Sequence, residues 1–264
     1  MEEKNQHKIY NSKDAMNLLE IASLAGSLMI KNGAEIYRVE DTAERILKSV
    51  KEVGEVDVFA TNNVIIISFN VNDEIFTNVK SVKARSNNLN AINYINSFSR
   101  NFVEGKYSFK QSLDILHKKE KIESIYDFKK IFGTLLVSFF YTAMFKGSII
   151  DCFVSLIVAL LVSIIMRAIE KKKLGYFLEN FISGILDSIF AISFLIIFKN
   201  LDINIVIIGT MMPYLPGLLI ANSVRDMMSG DLNSGLIGSS TAILTSAALA
   251  FGVSIPLSIY LRLM

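Results

Sequence analysis

The sequence predicts an α-helical polytopic membrane protein of about five transmembrane helices, preceded by a small cytoplasmic α+β domain. Three observations carry that prediction. The chain of 264 residues is 52% hydrophobic, more than an ordinary soluble domain of this size. Its charge is segregated, because most of its 27 Lys+Arg and 25 Asp+Glu precede residue 131. Beyond that point the chain resolves into apolar runs, and a run of about 20 residues crosses a hydrocarbon core about 30 Å thick.

The elements follow in order. Residues 1–13 read as a flexible N-terminus. From Asp14, Leu18, Ile21, Ala22, Ala25 and Met29 recur at helical steps, and Asn32-Gly33 stops that helix. A second helix carries Ile36, Val39, Ala43, Ile46, Leu47 and Val50 inward up to Gly54. Glu35–Arg38 and Asp41–Arg45 are spaced to pair on its surface. Residues 56–71 and 74–85 are rich in β-branched and aromatic residues around an Asn72-Asp73 turn, which predicts a hairpin. Residues 86–104 return to helical spacing, and a short helix follows with Ser108 as its cap. Residues 14–128 therefore form the predicted α+β domain.

Residues 129–264 form the predicted membrane domain. Its runs are Ile131–Phe145, Ile149–Met166, Phe181–Phe198, Ile203–Ala221 and Leu236–Leu261. The first is short, and only Lys146-Gly147-Ser148 separates it from the second. A tight helical hairpin is expected there, with one long kinked helix as the alternative. Lys118, Lys119, Lys121, Lys129, Lys130, Arg167, Lys171, Lys172, Lys173 and Arg225 fall on one set of flanks. Lys146, Lys199 and Arg262 fall on the other. That bias predicts a cytoplasmic N-terminus, an external C-terminus and an odd number of spans. The start of the chain is polar with no apolar leader pattern, which agrees.

Several function classes are disfavoured. A net charge of +2 is too balanced for a nucleic-acid binder. The single cysteine, Cys152, excludes a disulfide within one chain and argues against a cysteine metal site. His7 and His117 read as surface residues. There is no Gly-rich phosphate loop, metal-spaced cluster or nucleophile elbow. No enzymatic activity, cofactor or metal is expected, and Glu35, Glu40, Asp41 and Glu44 read as a solvated helix face.

The candidate site lies between Gly209 and Gly235. Pro213, Pro216 and Gly217 interrupt an apolar run, and proline both removes a backbone donor and clashes with the preceding turn. In lipid such a break is tolerated only against protein or a wet cavity, so it marks either a binding site or a simple kink. Arg225 can hold a carboxylate, Asn222 can orient the rest, and Asp226 or Asp231 can carry a proton. Arg225–Asp226 can equally be a structural ion pair. Asp187, inside the third run, is either a coupling or cation site, a partner for Arg225, or an interface residue.

Two stretches carry a family resemblance. Residues 32–46, NGAEIYRVEDTAERI, and residues 216–235, PGLLIANSVRDMMSGDLNSG, resemble the soluble and membrane signatures of the threonine/serine exporter family. By position the resemblance marks Gly33, Glu35, Arg38, Glu40, Asp41 and Thr42, a motif of unknown role. In the membrane part it marks Pro216, Gly217, Asn222, Arg225, Asp226, Gly230, Asp231, Ser234 and Gly235. Thr61-Asn62-Asn63 departs from the Thr-Pro-Thr-like turn that the family often has. The resemblance implies export of small amino acids such as threonine and serine across a bacterial cytoplasmic membrane, and secondary active export is the mechanism expected here. The length implies the larger component of a split form that works with a shorter membrane-only partner, and a homo-oligomer is compatible. Some split-form relatives are associated with dicarboxylate (succinate) export instead. A membrane-anchored cytoplasmic enzyme or sensor, and a structural subunit whose partner holds the substrate path, are the competing classes.

Overall fold

A computed structural model describes residues 7–82, 87–122, 127–170, 172 and 174–263. The element order is α1 (Ser12–Lys31), α2 (Ile36–Lys48), β1 (Val56–Ala60), β2 (Val64–Val71), β3 (Glu74–Ser81), α3 (Leu89–Val103) and α4 (Phe109–Ile122). It continues with α5 (Asp127–Met144), α6 (Ile149–Glu170), α7 (Tyr176–Ile197), α8 (Ile203–Met211), a 3-10 turn (Met212–Tyr214), α9 (Gly217–Met228) and α10 (Leu232–Leu263). The chain divides into two compact units, Met1–Glu123 with Leu218–Ser239, and Ser124–Gly217 with Ser240–Met264. The first six residues of the expected flexible terminus lie outside the described residues, as do residues 83–85 of the expected second strand. So do Lys171 and Lys173 of the charge bias and the side chain of Lys121.

In the first unit β1, β2 and β3 form an antiparallel meander. The expected hairpin is thus a three-stranded sheet. The run 56–71 breaks at Thr61–Asn63, where Thr61 N–H donates to the Val64 carbonyl at 2.8 Å and closes a tight turn. Alternation along β2 buries Ile65, Ile67, Phe69 and Val71 on one face, and α1 packs there. The inward residues of α1 and α2 read from the sequence are buried in this core. α2 ends at Lys48, before Gly54, in a turn that the Ser49 hydroxyl closes on the Ile46 carbonyl at 2.6 Å. α1 starts at Ser12 because the Asn11 side chain caps it. α4 starts with a reciprocal box, in which Gln111 N–H donates to Ser108 Oγ and Ser108 N–H to Gln111 Oε1. His7 is half-buried, stacked on Phe102 and hydrogen-bonded to its carbonyl at 3.0 Å, so it is not the surface residue expected.

The second unit is helical. α5 and α6 pack side by side as two helices, joined through Lys146 at φ 65°, which resolves the hairpin against the kinked helix. By length and composition α6, α7 and α10 are apolar enough to cross a membrane, and a fourth span arises if the broken pair α8 and α9 counts as one. The 18-residue α5 carries Lys129 and Lys130 in its first turn and is not among them. Val154, Val158, Val162, Ala191, Val206 and Ile207 form the apolar centre of α6, α7 and α8.

Candidate functional site

The soluble signature and the part of the membrane signature from Leu218 onward meet inside the first unit. α1 ends in a Schellman turn, with Ala34 N–H on the Met29 carbonyl and Gly33 N–H on the Ile30 carbonyl. Gly33 stands at φ 82°, where an L side chain is strained. Its carbonyl accepts a 2.9 Å hydrogen bond from Asn222 Nδ2. Three residues on, α2 begins. Glu35 is its N-cap, yet its side chain makes no capping bond, and the first turn holds no acidic residue. The open Ile36 N–H instead donates to Asp226 Oδ1 at 3.0 Å. A carboxylate 190 residues away in sequence therefore supplies both the acceptor and the negative charge that a helix start favours.

Glu35, freed from capping, binds two arginines. Arg38 Nη1 lies 3.2 Å from it, and Arg225 pairs with its other oxygen. Glu35 is buried, whereas the Arg225 side chain is 56% exposed. The expected Arg225–Asp226 pair is thus a divided arrangement, with the arginine on Glu35 and the aspartate on a helix start. α9 then closes with a second Schellman turn, Asp231 N–H on the Asp226 carbonyl and Gly230 N–H on the Met227 carbonyl, at a Gly230 φ of 99°. At the end of β1, Ala60 N–H donates to Glu40 Oε1 at 2.8 Å and the Ala60 carbonyl accepts from Ser234 Oγ at 3.4 Å. Asn62 Nδ2 donates to the Ser234 carbonyl at 2.9 Å. Asn62 belongs to the turn that departs from the family pattern, and sequence reasoning gave it no role. Thr42 is buried on the inner face of α2, while Asp41 stays on its outer face, paired with Arg45.

Glu40 is where this junction is electrostatically loaded. Burial pushes its carboxyl above the usual range, the Ala60 N–H bond pulls it partly back, and Asp231, Glu44 and Asp226 raise it again. A raised carboxylate destabilises the folded state once it ionises, so stability through this group falls as pH rises from the ordinary glutamate range through the raised value. Glu40→Gln keeps the oxygen that accepts from Ala60. The variant is expected to melt above wild type at neutral pH, with the advantage vanishing once pH drops below the ordinary glutamate range. Thermal melts of both proteins across pH test this.

A separate polar cluster sits in the second unit. Asp187, near the middle of α7, is 1% exposed. Thr210 of α8 lies beside it, but the Thr210 hydroxyl donates to the carbonyls of Val206 and Ile207 in its own helix. Neither Asp187 oxygen has a hydrogen-bond partner among the described residues. Tyr214, in the 3-10 turn, has its hydroxyl beside Ser163 of α6. Ser163 is a second residue that the sequence did not single out, one of two serines in an apolar run. Pro213 sits in the same turn as Tyr214, and Leu215-Pro216 is the extended link before α9. Among the described residues no group of His, Cys, Asp and Glu could hold a metal ion.

The family model described as "Putative threonine/serine exporter" (ThrE) matches residues 20–260, over nine-tenths of the chain. No curated protein and no solved structure matches it.

Proposed function

We propose, from the premise that this chain belongs to the threonine/serine exporter family, that it exports small amino acids, threonine and serine, from the cytoplasm as a secondary active transporter. In this reading it is the larger component of a split exporter and works with a shorter membrane-only partner. α5, α6, α7, the α8–α9 pair and α10 are its five spans, with the N-terminus and the α+β part cytoplasmic. The basic flanks and the length of α5, 18 residues or about 27 Å of helix, support that count.

The observation that carries the proposal is Asp187. A buried carboxylate without a hydrogen-bond partner is costly in an apolar helix unless function holds it there. It lies beside Thr210, at the entry to the proline-broken stretch, where helix breaks in transporters present polar groups to their cargo. We assign it the coupling proton. Pro213, Pro216 and Gly217 keep the helix broken, and Arg225 receives the substrate carboxylate. A guanidinium has five donors, its contact with Glu35 engages few of them, and its side chain is exposed. Asn222 and Asp226 anchor α9, and with it Arg225, to the end of α1 and the start of α2.

Transport in proteoliposomes containing the chain and its partner tests this. Asp187→Asn is expected to abolish efflux driven by a pH gradient while threonine–threonine exchange continues. Driven efflux at the wild-type rate in Asp187→Asn would remove Asp187 from coupling. A wild-type complex that moves neither threonine nor serine would remove the substrate assignment.

A further inference from the structure

The first unit contains a sheet with two unequal edges. The alternation of the ladder is set by two bonds, Val82 N–H to the Asn63 carbonyl at 2.7 Å and Asn70 N–H to the Glu55 carbonyl at 3.2 Å. With the observed register, even-numbered residues of β3 turn their backbone groups toward β2, and Ile75, Thr77, Val79 and Ser81 turn theirs outward. The β1 edge is covered at its end, where the outward N–H and carbonyl of Ala60 are taken by Glu40 and Ser234. No such partner reaches the outward backbone groups of β3 among the described residues. The edge is eight residues long, with Ile75 76% and Val79 60% exposed. An open edge of that length and character is a template for another strand.

We propose that β3 pairs antiparallel with β3 of a second copy of this chain, about a two-fold axis at Thr77. Hydrogen-bond parity allows only odd residues to face odd residues across such an axis. Centring on Thr77 sets Ile75 opposite the partner copy's Val79 and Thr77 opposite its own counterpart. On the other face the same register sets Glu74 opposite Lys80, twice by symmetry, and Phe76 opposite Asn78. Each charge meets its opposite and each exposed aliphatic meets an aliphatic, the pairings that stabilise antiparallel strands. Beside the edge a groove lined by Met16, Leu19 and Glu20 of α1 and by Thr77–Lys80 lies open to take the side chains of the added strand. A lone lysine on an edge strand ordinarily repels pairing. Here Glu74, whose one hydrogen bond among the described residues is from Ser12 at 3.3 Å, turns Lys80 into a register mark. The inference stands apart from the transport reading, since it uses no residue of that site.

Cross-linking of the full chain in its native membrane tests it. In a Cys152→Ser background, which removes the only cysteine, Thr77→Cys is expected to give a covalent dimer with a short bismaleimide. Paired Thr77 Cα atoms would lie about 5.5 Å apart. Ser81→Cys, whose two copies would lie about 27 Å apart, is expected to give none. Glu74→Lys is expected to weaken dimerisation in detergent about tenfold, because symmetry counts the change twice, and Lys80→Glu added to it restores the dimer. Absence of the Thr77→Cys dimer, equal cross-linking at both positions, or no restoration by the double reversal would overturn the proposal.

Discussion

Gly252→Leu is expected to lower the stability of the membrane unit by about 3 kcal/mol or more, and with it the amount of folded protein recovered from membranes. α7 and α10 touch through their backbones. A Cβ built on Gly252 would stand 2.2 Å from the Phe181 carbonyl oxygen and 3.1 Å from Ile185 N. One built on Gly184 would stand 2.5 Å from the Leu249 carbonyl oxygen and 3.0 Å from Val253 N. Backbone atoms cannot swing aside as a side chain can, so the helices must separate. Between apolar helices in lipid such close packing is a main source of association, since water gives no added drive. Gly133→Ala is the matched control, because nothing lies within 4 Å of its Cβ position. Thermal melts of both variants in detergent decide the matter, and a wild-type melting temperature for Gly252→Leu would show that the two backbones are not in contact.

Asp226→Ala is expected to destabilise the first unit by about 2–3 kcal/mol, the sum of an orphaned buried N–H and a lost charge at a helix start. Asp226 is 3% exposed and Ile36 is buried, so water cannot replace the lost acceptor. Asp226→Asn keeps an oxygen at the same place and is expected to lose less. Amide hydrogen exchange separates this effect from general loosening. Protection of the Ile36 amide should fall in Asp226→Ala by more than that of amides in β2. Unchanged protection at Ile36 would mean that another group caps α2.

The same residue shows where the sequence was readable. The inner faces of α1, α2 and α3 follow from 3.6-residue spacing, and Gly33 follows from what a helix end demands. The stop at Lys48 was missed because a Ser49 hydroxyl, rather than Gly54, ends α2. The third strand was missed because the run 56–71 is apolar on both sides of Thr61–Asn63, so only the turn bond reveals the break. Asn222, Arg225 and Asp226 stand out as a set in the sequence, as candidate cargo, proton or ion-pair residues. Their observed partners, the Gly33 carbonyl, Glu35 and the Ile36 N–H, are groups on distant helix ends. No local pattern records a bond across 190 residues. Asp187 was legible for the opposite reason, since its cost in an apolar run is local.

The cap supplied by Asp226 also orders events in time. Ile36 leaves the ribosome 190 residues before its acceptor does. At about 5–20 residues per second, that gap lasts roughly 10–40 s. During that interval α2 has an open start, Ala60 lacks its Ser234 contact, and the intervening helices are still being inserted. The first unit, although the first to be started, is therefore completed only after Ser124–Gly217 of the second unit has been made. Its completion waits on the chain being synthesised beyond Ser234, whose side chain and carbonyl hold Ala60 and Asn62.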